Sequence, residues 1–120
     1  MLAALEKQYR DDPAVLSALG RTSLRVRRAG EATQDFERVL KLDDTAQVES
    51  EAGQAWMQAG DLDKAAGHLE RAIQLDPLLL PAAESLIQIY RRRGDSEKLA
   101  ALGERVREAM GASAPQEAVQ

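Results

Sequence analysis

The sequence predicts an all-α fold built from repeated helix pairs, and three observations support this prediction. Aromatic residues make up only 3% of the 120 residues, whereas the strands of β sandwiches and barrels are rich in them. Good helix formers dominate instead, namely alanine, leucine, arginine, glutamate and glutamine. Three segments of the chain also align on one another without internal gaps, as expected of a fold that repeats one structural unit.

The repeat is defined by landmark residues that share one spacing. Gly20, Gly53 and Ile87 are separated by 33 and then by 34 residues. Two further sets of landmarks have the same two spacings: Ala32, Ala65 and Leu99, and Phe36, Leu69 and Gly103. Because three landmarks share one register, the spacing indicates a structural repeat rather than a chance motif.

Seven helices are predicted from the apolar periodicity and from the residues that begin and end helices. We place them near 2–11, 14–28, 31–42, 46–59, 62–75, 79–93 and 95–110. The first helix has no preceding helix with which to pair, so it resembles the second half of a repeat. We therefore expect the chain to be the C-terminal part of a longer array. The alternative is a single helix that caps a three-repeat protein.

The following helices form pairs whose contacts and turns have clear sequence signals. Small residues stand where two helices must approach to about 8–10 Å; they are Gly20, Gly53, Ala65 and Ala72. Glycines that can end a helix with a positive φ precede N-cap aspartates in the turns Gly60-Asp61 and Gly94-Asp95. Trp56 is expected between helices, and Pro77 marks the break between the second and third pairs.

The last helix departs from this pattern. Leu99 and Gly103 replace the small and the large residue found at the equivalent positions of the preceding pair, so we expect this helix to pack loosely. Residues 111–120 are small, polar and contain a proline, which predicts a disordered tail.

The second segment resembles a tetratricopeptide repeat, a helix–turn–helix unit of 34 residues. The residues that carry the resemblance are Gly53, Trp56, Gly60-Asp61, Ala65, Ala72 and Pro77. The first segment departs from the family at Ser23, Arg27 and Asp44. The resemblance implies a right-handed α-α superhelix spanning residues 1–110, with repeats near 13–45, 46–79 and 80–110 after an N-terminal helix at 1–12.

Several function classes are disfavoured by the composition. The chain has no cysteine, and His68 is its only histidine, so zinc or copper sites and a Ser-His-Asp arrangement lack support. No glycine-rich phosphate loop is present, and no cofactor is expected. The net charge of −4 and the lack of interleaved aromatic residues argue against nucleic acid. No apolar run is long enough to insert into a membrane. We expect a protein that is not an enzyme.

The family resemblance implies that the first helices of the pairs line a concave groove that binds a protein segment. The residues expected to bind a partner are Arg21, Arg25, Gln54, Met57, Gln58, Gln88, Arg91 and Arg92. The wider set of expected groove residues also includes Ser17, Ser50 and Glu51. Arginine and glutamine can bond carboxylates and peptide groups, so this surface suits an acidic or backbone-presenting peptide.

A simpler explanation exists for several of these arginines. Two triplets, Arg25, Arg27 and Arg28 and then Arg91, Arg92 and Arg93, are expected in the last turn of a helix. Cations there interact favourably with the helix C-terminus without any ligand. The residues by which some tetratricopeptide domains clamp acidic chaperone tails are missing, because Ser17, Arg21, Glu51, Pro81 and Ser85 occupy those positions.

The alternative function is a structural scaffold segment that associates through its terminal helices and binds nothing in its groove. Self-association would use an apolar stripe on the last helix, formed by Leu99, Leu102, Val106 and Met110. The competing interpretation is that charged neighbours solvate this helix, which then caps the stack. The arginine-rich composition resembles that of a high-GC bacterium, and it leaves the compartment open, with cytoplasm favoured over periplasm.

Overall fold

The computed structural model describes residues 12–112, which form six α-helices. Their bounds are α1 Pro13–Arg25, α2 Ala29–Leu42, α3 Ala46–Ala59, α4 Leu62–Leu75, α5 Leu80–Arg93 and α6 Ser96–Ala112. Consecutive helices pack as three hairpins, and each hairpin also contacts the next through its first helix. We call α1, α3 and α5 the A helices, and α2, α4 and α6 the B helices. The predicted all-α repeat architecture is confirmed.

The turns within the three hairpins share one hydrogen-bond pattern. In the second hairpin, Gly60 N–H donates to Met57 O at 3.0 Å and Asp61 N–H donates to Trp56 O at 3.0 Å. The same pair of bonds recurs in the third hairpin and in the first. This Schellman pattern requires a residue with positive φ after the helix. Glycine supplies it twice, but in the first hairpin Arg27 adopts a φ of 63°.

This turn explains a difference from the predicted helix bounds. We predicted that the first of these helices would continue to residue 28, but α1 ends at Arg25. The left-handed conformation of Arg27 cannot belong to a right-handed helix. Arg27 and Arg28 therefore lie in the turn, and their predicted place in the last turn of a helix is wrong. Arg91, Arg92 and Arg93 do lie in the last turn of α5.

The predicted N-cap residues hold the starts of two B helices. Asp61 Oδ1 accepts from Lys64 N–H at 3.0 Å, and Asp95 Oδ1 accepts from Lys98 N–H at 3.1 Å. Thr45 caps α3 through a bond from Val48 N–H at 3.2 Å. Each bond satisfies a backbone donor that the first turn of a helix leaves open.

Small residues set the approach of the helices in the first two hairpins, as predicted. A Cβ atom added at Gly20 would lie 2.8 Å from Phe36 Cζ, and one added at Gly53 would lie 2.5 Å from Leu69 Cγ. Both large side chains are fully buried. Ala65 and Ala72 are also fully buried, so a larger side chain at these positions would separate the helices.

The third hairpin packs differently because the buried face of α6 is shifted by one residue. Gly103 is equivalent to Leu69, yet it is exposed, and Leu102 is buried instead. Leu99 and Val106 also pack against the core. A surface cavity of about 480 Å³ lies between α4, α5 and α6. The looser packing predicted for this helix is therefore present.

The remaining predicted segments fall at the ends of the chain. The N-terminal helix predicted at 2–11 lies outside the described residues. The predicted tail at 111–120 begins too early, since Gly111 and Ala112 belong to α6, and the rest of it lies outside the described range. Between residues 12 and 112, no helix has the length and apolar character that crossing a membrane would require.

Candidate functional site

The A helices present a continuous polar surface, which we call the A-helix face. The repeat spacing arranges its side chains in rows that cross the three helices. One row contains Arg21, Gln54 and Gln88, and the next contains Arg25, Gln58 and Arg92. All six side chains are exposed. The sequence therefore predicted a set of residues that the fold does bring onto one surface.

The two other predicted binding residues occupy a third row. Arg91 is exposed, whereas its equivalent Met57 is only partly exposed and packs against the hydrophobic core. Three expected groove residues do not line the surface at all. Ser17, Ser50 and Glu51 are buried, and Glu51 lies against Arg21 of the neighbouring A helix.

Arg21 is bound by its own chain. Its Nε donates to Glu51 Oε2 at 2.5 Å, and its Nη2 donates to Glu51 Oε1 at 3.3 Å. This two-point contact joins α1 to α3 with the geometry that makes arginine–carboxylate pairs strong. The hydrogen bond and the charge of Glu51 raise the pKa of Arg21. Arg21, expected to contact a partner, thus neutralises a buried carboxylate.

Gln58 also has a structural contact. Its Nε2 donates to the backbone oxygen of Leu24 at 3.3 Å. Leu24 lies in the last turn of α1, and its carbonyl oxygen also accepts Arg27 N–H at 3.1 Å. The Gln58 side chain therefore ties the end of α1 to α3.

Three arginines of the A-helix face carry charge that no acidic side chain within residues 12–112 neutralises. Among the described residues, no acidic side chain forms an ion pair with Arg25, Arg91 or Arg92. The neighbouring Arg93, in contrast, is hydrogen-bonded to Asp63. On the A helices, this unpaired positive charge lies at the C-terminal ends of α1 and α5; within residues 12–112 the exposed Arg38 and Arg105 of the B helices are unpaired as well. Between them, Gln54 and Gln58 present neutral amides.

A polar cluster that the sequence did not predict joins two B helices to α3. Nδ1 of His68 lies 2.8 Å from Glu49 Oε1, and its Nε2 lies 3.0 Å from Glu37 Oε1. His68 thus links α2, α3 and α4. Glu49 is buried, and burial is the main reason that its pKa is raised. These residues are 12 to 31 positions apart in the sequence, so no local pattern marks them as neighbours.

The junction between the second and third hairpins is held by a different hydrogen bond. Tyr90, equivalent to Trp56, donates its hydroxyl hydrogen to Glu70 Oε2 at 2.6 Å. Lys98 Nζ lies 4.0 Å from the same carboxylate. Burial first, and then the bond to Glu70, raise the pKa of Tyr90.

Trp56 lies between helices, as predicted, and it is only partly buried. Lys64 Nζ lies 4.4 Å from the centre of its ring, a distance typical of cation–π contacts. The indole Nε1 is buried and has no hydrogen-bond partner within residues 12–112. In that same range, no group of three or more histidine, aspartate and glutamate side chains is placed to hold a metal ion.

Comparison with known proteins agrees with this architecture. Residues 46–79 match the tetratricopeptide repeat. A crystal structure of MamA is similar with a TM-score of 0.78 and 22% identity, over 87% of this chain and 61% of MamA. A second structure, MamA MSR-1 C2, is similar with a TM-score of 0.75 and 21% identity, over 94% of this chain and 66% of that one. Functionally curated proteins give no match.

The chain spans less than two thirds of the length of these two MamA structures. At this level of identity the likeness concerns the fold. The matched segment coincides with α3, α4 and the turn that follows them, and the hairpins on either side share its turn geometry. Residues 46–79 therefore form a tetratricopeptide repeat, a unit that supports protein–protein interaction in general, and the described part of the chain has a helical repeat fold similar to that of MamA.

Proposed function

We propose that the protein is a non-catalytic interaction module whose A-helix face binds a peptide or helix of a partner protein. One observation carries the proposal: Arg25 and Arg92, which have no acidic partner among residues 12–112, lie at the two ends of a row whose middle residue is Gln58, beside the exposed amides of Gln54 and Gln88. Arg21 differs from these arginines, because Glu51 of the same chain forms an ion pair with it.

The charge distribution supports a partner with acidic character. The whole chain carries a net charge of −4, so this positive face contrasts with the rest of the protein. Such local contrast steers an oppositely charged partner into the correct orientation. The amides of Gln54 and Gln88 can bond to both donors and acceptors, which suits the peptide groups of a bound segment.

The test is affinity capture from a lysate of the source organism with three immobilised variants. They are the parent, the double variant Arg25→Glu/Arg92→Glu, and the control Arg38→Glu/Arg105→Glu. The control arginines are exposed on B helices, so the charge change is the same. We expect at least one protein to be retained by the parent and by the control but lost from the A-helix variant. Equal capture by all three variants would contradict the proposal.

The alternative is a scaffold segment that associates through its terminal helices. The stripe expected to mediate this association is largely covered by the chain itself, because Leu102 is buried and Leu99 and Val106 pack against the core. Met110 is 59% exposed. Light scattering after size exclusion tests this alternative. A concentration-dependent dimer that Met110→Lys abolishes would favour the scaffold, whereas a monomer at high concentration would exclude association through this stripe.

A further inference from the structure

We propose that the segment recognised by the A-helix face is an extended peptide with two carboxylates five or six residues apart. This inference rests on the proposed function and narrows it. It follows from the positions of the unpaired arginines, from the neutral residues between them and from the chemistry of glutamine.

The spacing follows from the repeat. Arg25 and Arg92 occupy equivalent positions of α1 and α5, so α3 lies between them. Packed helices are about 8–10 Å apart, and two such steps give roughly 16–20 Å. An extended chain advances about 3.3 Å per residue. Carboxylates five or six residues apart would therefore reach the two arginines together.

The middle of the face does not favour a third carboxylate. The position equivalent to Arg25 and Arg92 on α3 is Gln58, whose amide is bonded to Leu24 O. A carboxylate placed opposite α3 would therefore meet this neutral amide instead of an arginine.

The glutamines favour an extended segment over a helix. Backbone groups of a helix are bonded within the helix, whereas an extended segment leaves its N–H and C=O groups open. Gln54 and Gln88 are exposed beside this row, and each amide can donate and accept. They can therefore bond peptide groups between the two carboxylates.

The test uses synthetic peptides of one composition, acetylated and amidated so that their termini carry no charge. Each labelled 13-residue peptide places two glutamates 2 to 10 residues apart in a serine–glycine–alanine background. Binding is measured by fluorescence anisotropy at low ionic strength. We expect the tightest binding at separations of five and six, about fivefold tighter than at 2 or 10, which is what one additional exposed ion pair can contribute.

Variants of the protein test whether Arg25 and Arg92 cause the preference for glutamates five or six residues apart. Arg25→Gln or Arg92→Gln should flatten the dependence on separation, and Arg38→Gln should leave it intact. A helix-forming peptide with glutamates 11 to 13 residues apart spans a similar distance at about 1.5 Å per residue. Tighter binding of that peptide would replace the extended ligand with a helix and overturn the proposal.

The two proposals can fail separately. Binding that requires Arg25 and Arg92 but is equal at all separations would overturn the spacing and leave the A-helix face as a binding site. Absence of binding by every peptide would also overturn the two-carboxylate ligand, while the capture experiment above decides the proposed function independently.

Discussion

Each of the two junctions between hairpins packs a B helix against the following A helix, but different chemistry holds each junction together. The junction of the first and second hairpins contains His68 between two carboxylates, one of them buried, and the pair formed by Arg21 and Glu51. At the next junction, Ala83 stands where Glu49 does in the first, and Leu102 stands where His68 does. A B helix can thus pack against the next A helix with either a polar cluster or apolar side chains at these positions.

The difference has an energetic consequence. A buried ion pair often contributes little net stability, because desolvation offsets the attraction, but removal of one partner is costly. An apolar contact has no such dependence on a partner charge. We infer that the first junction is more sensitive to single substitutions than the second.

The largest effect is expected when one member of the charged cluster is removed. His68→Leu introduces the leucine that the second junction has at the equivalent position, Leu102. It leaves buried Glu49 without its imidazole partner. We expect a loss of about 3 kcal/mol in the free energy of unfolding, measured by urea denaturation. The double variant Glu49→Ala/His68→Leu copies both residues of the second junction, and should return to within about 1 kcal/mol of the parent. Equal losses in the single and double variants would show that the two side chains do not act as a pair.

Two glycines should respond to alanine in opposite directions. Gly53→Ala forces a Cβ atom against Leu69, so we expect a loss of about 1–3 kcal/mol. Gly103→Ala meets nothing closer than Arg107 Nη2 at 4.0 Å and should gain about 0.5–1 kcal/mol from helix propensity. Thermal unfolding of both variants measures the difference. A loss at Gly103 as large as that at Gly53 would contradict the shifted face of α6.

The second junction should weaken at alkaline pH through Tyr90. Because the folded protein raises the pKa of Tyr90, the stabilisation is complete below the ordinary tyrosine value of about 10. It is lost as the pH rises above that value towards the folded pKa. We expect the stability difference between the parent and Tyr90→Phe to shrink by about 1 kcal/mol between pH 9 and pH 11. A stability difference between these two proteins that stays constant with pH would show that the Tyr90 hydroxyl is solvated and not bonded to Glu70.

The smallest effect is expected in the first turn. Arg27 has a positive φ, at the position where the other two hairpins have glycine. Arg27→Gly should raise the melting temperature by a few degrees, since it removes about 0.5–1 kcal/mol of backbone strain after the added entropy of glycine is counted. The same substitution at exposed Arg38 in α2, which has no such strain, should lower stability. Equal effects at the two sites would contradict the turn geometry.

The sequence predicted local features better than contacts between distant residues. Helices α3 and α4 and the caps at Asp61 and Asp95 follow from periodicity and capping rules that act over a few residues. The cluster around His68 could not be predicted in this way, because it joins three helices and depends on their relative positions.

Two further differences have the same origin. The end of α1 was predicted too late because arginine at position 27 gives no local signal of a positive φ. The shift of α6 depends on how Leu102, rather than residue 103, fits against α4 and α5. The A-helix face was predicted from the repeat, but the pairing of Arg21 with Glu51 depends on side-chain geometry.

The most direct test of the central claim is site-specific photo-crosslinking in the source lysate. A photoreactive amino acid is placed at Gln54 or Gln88 on the A-helix face, and at Gln34 or Gln74 on the B helices as matched exposed controls. The account predicts a crosslinked partner protein from the first two positions and none from the last two. Crosslinks to the same partner only from Gln34 or Gln74 would place the binding surface on the opposite side of the stack and contradict the account.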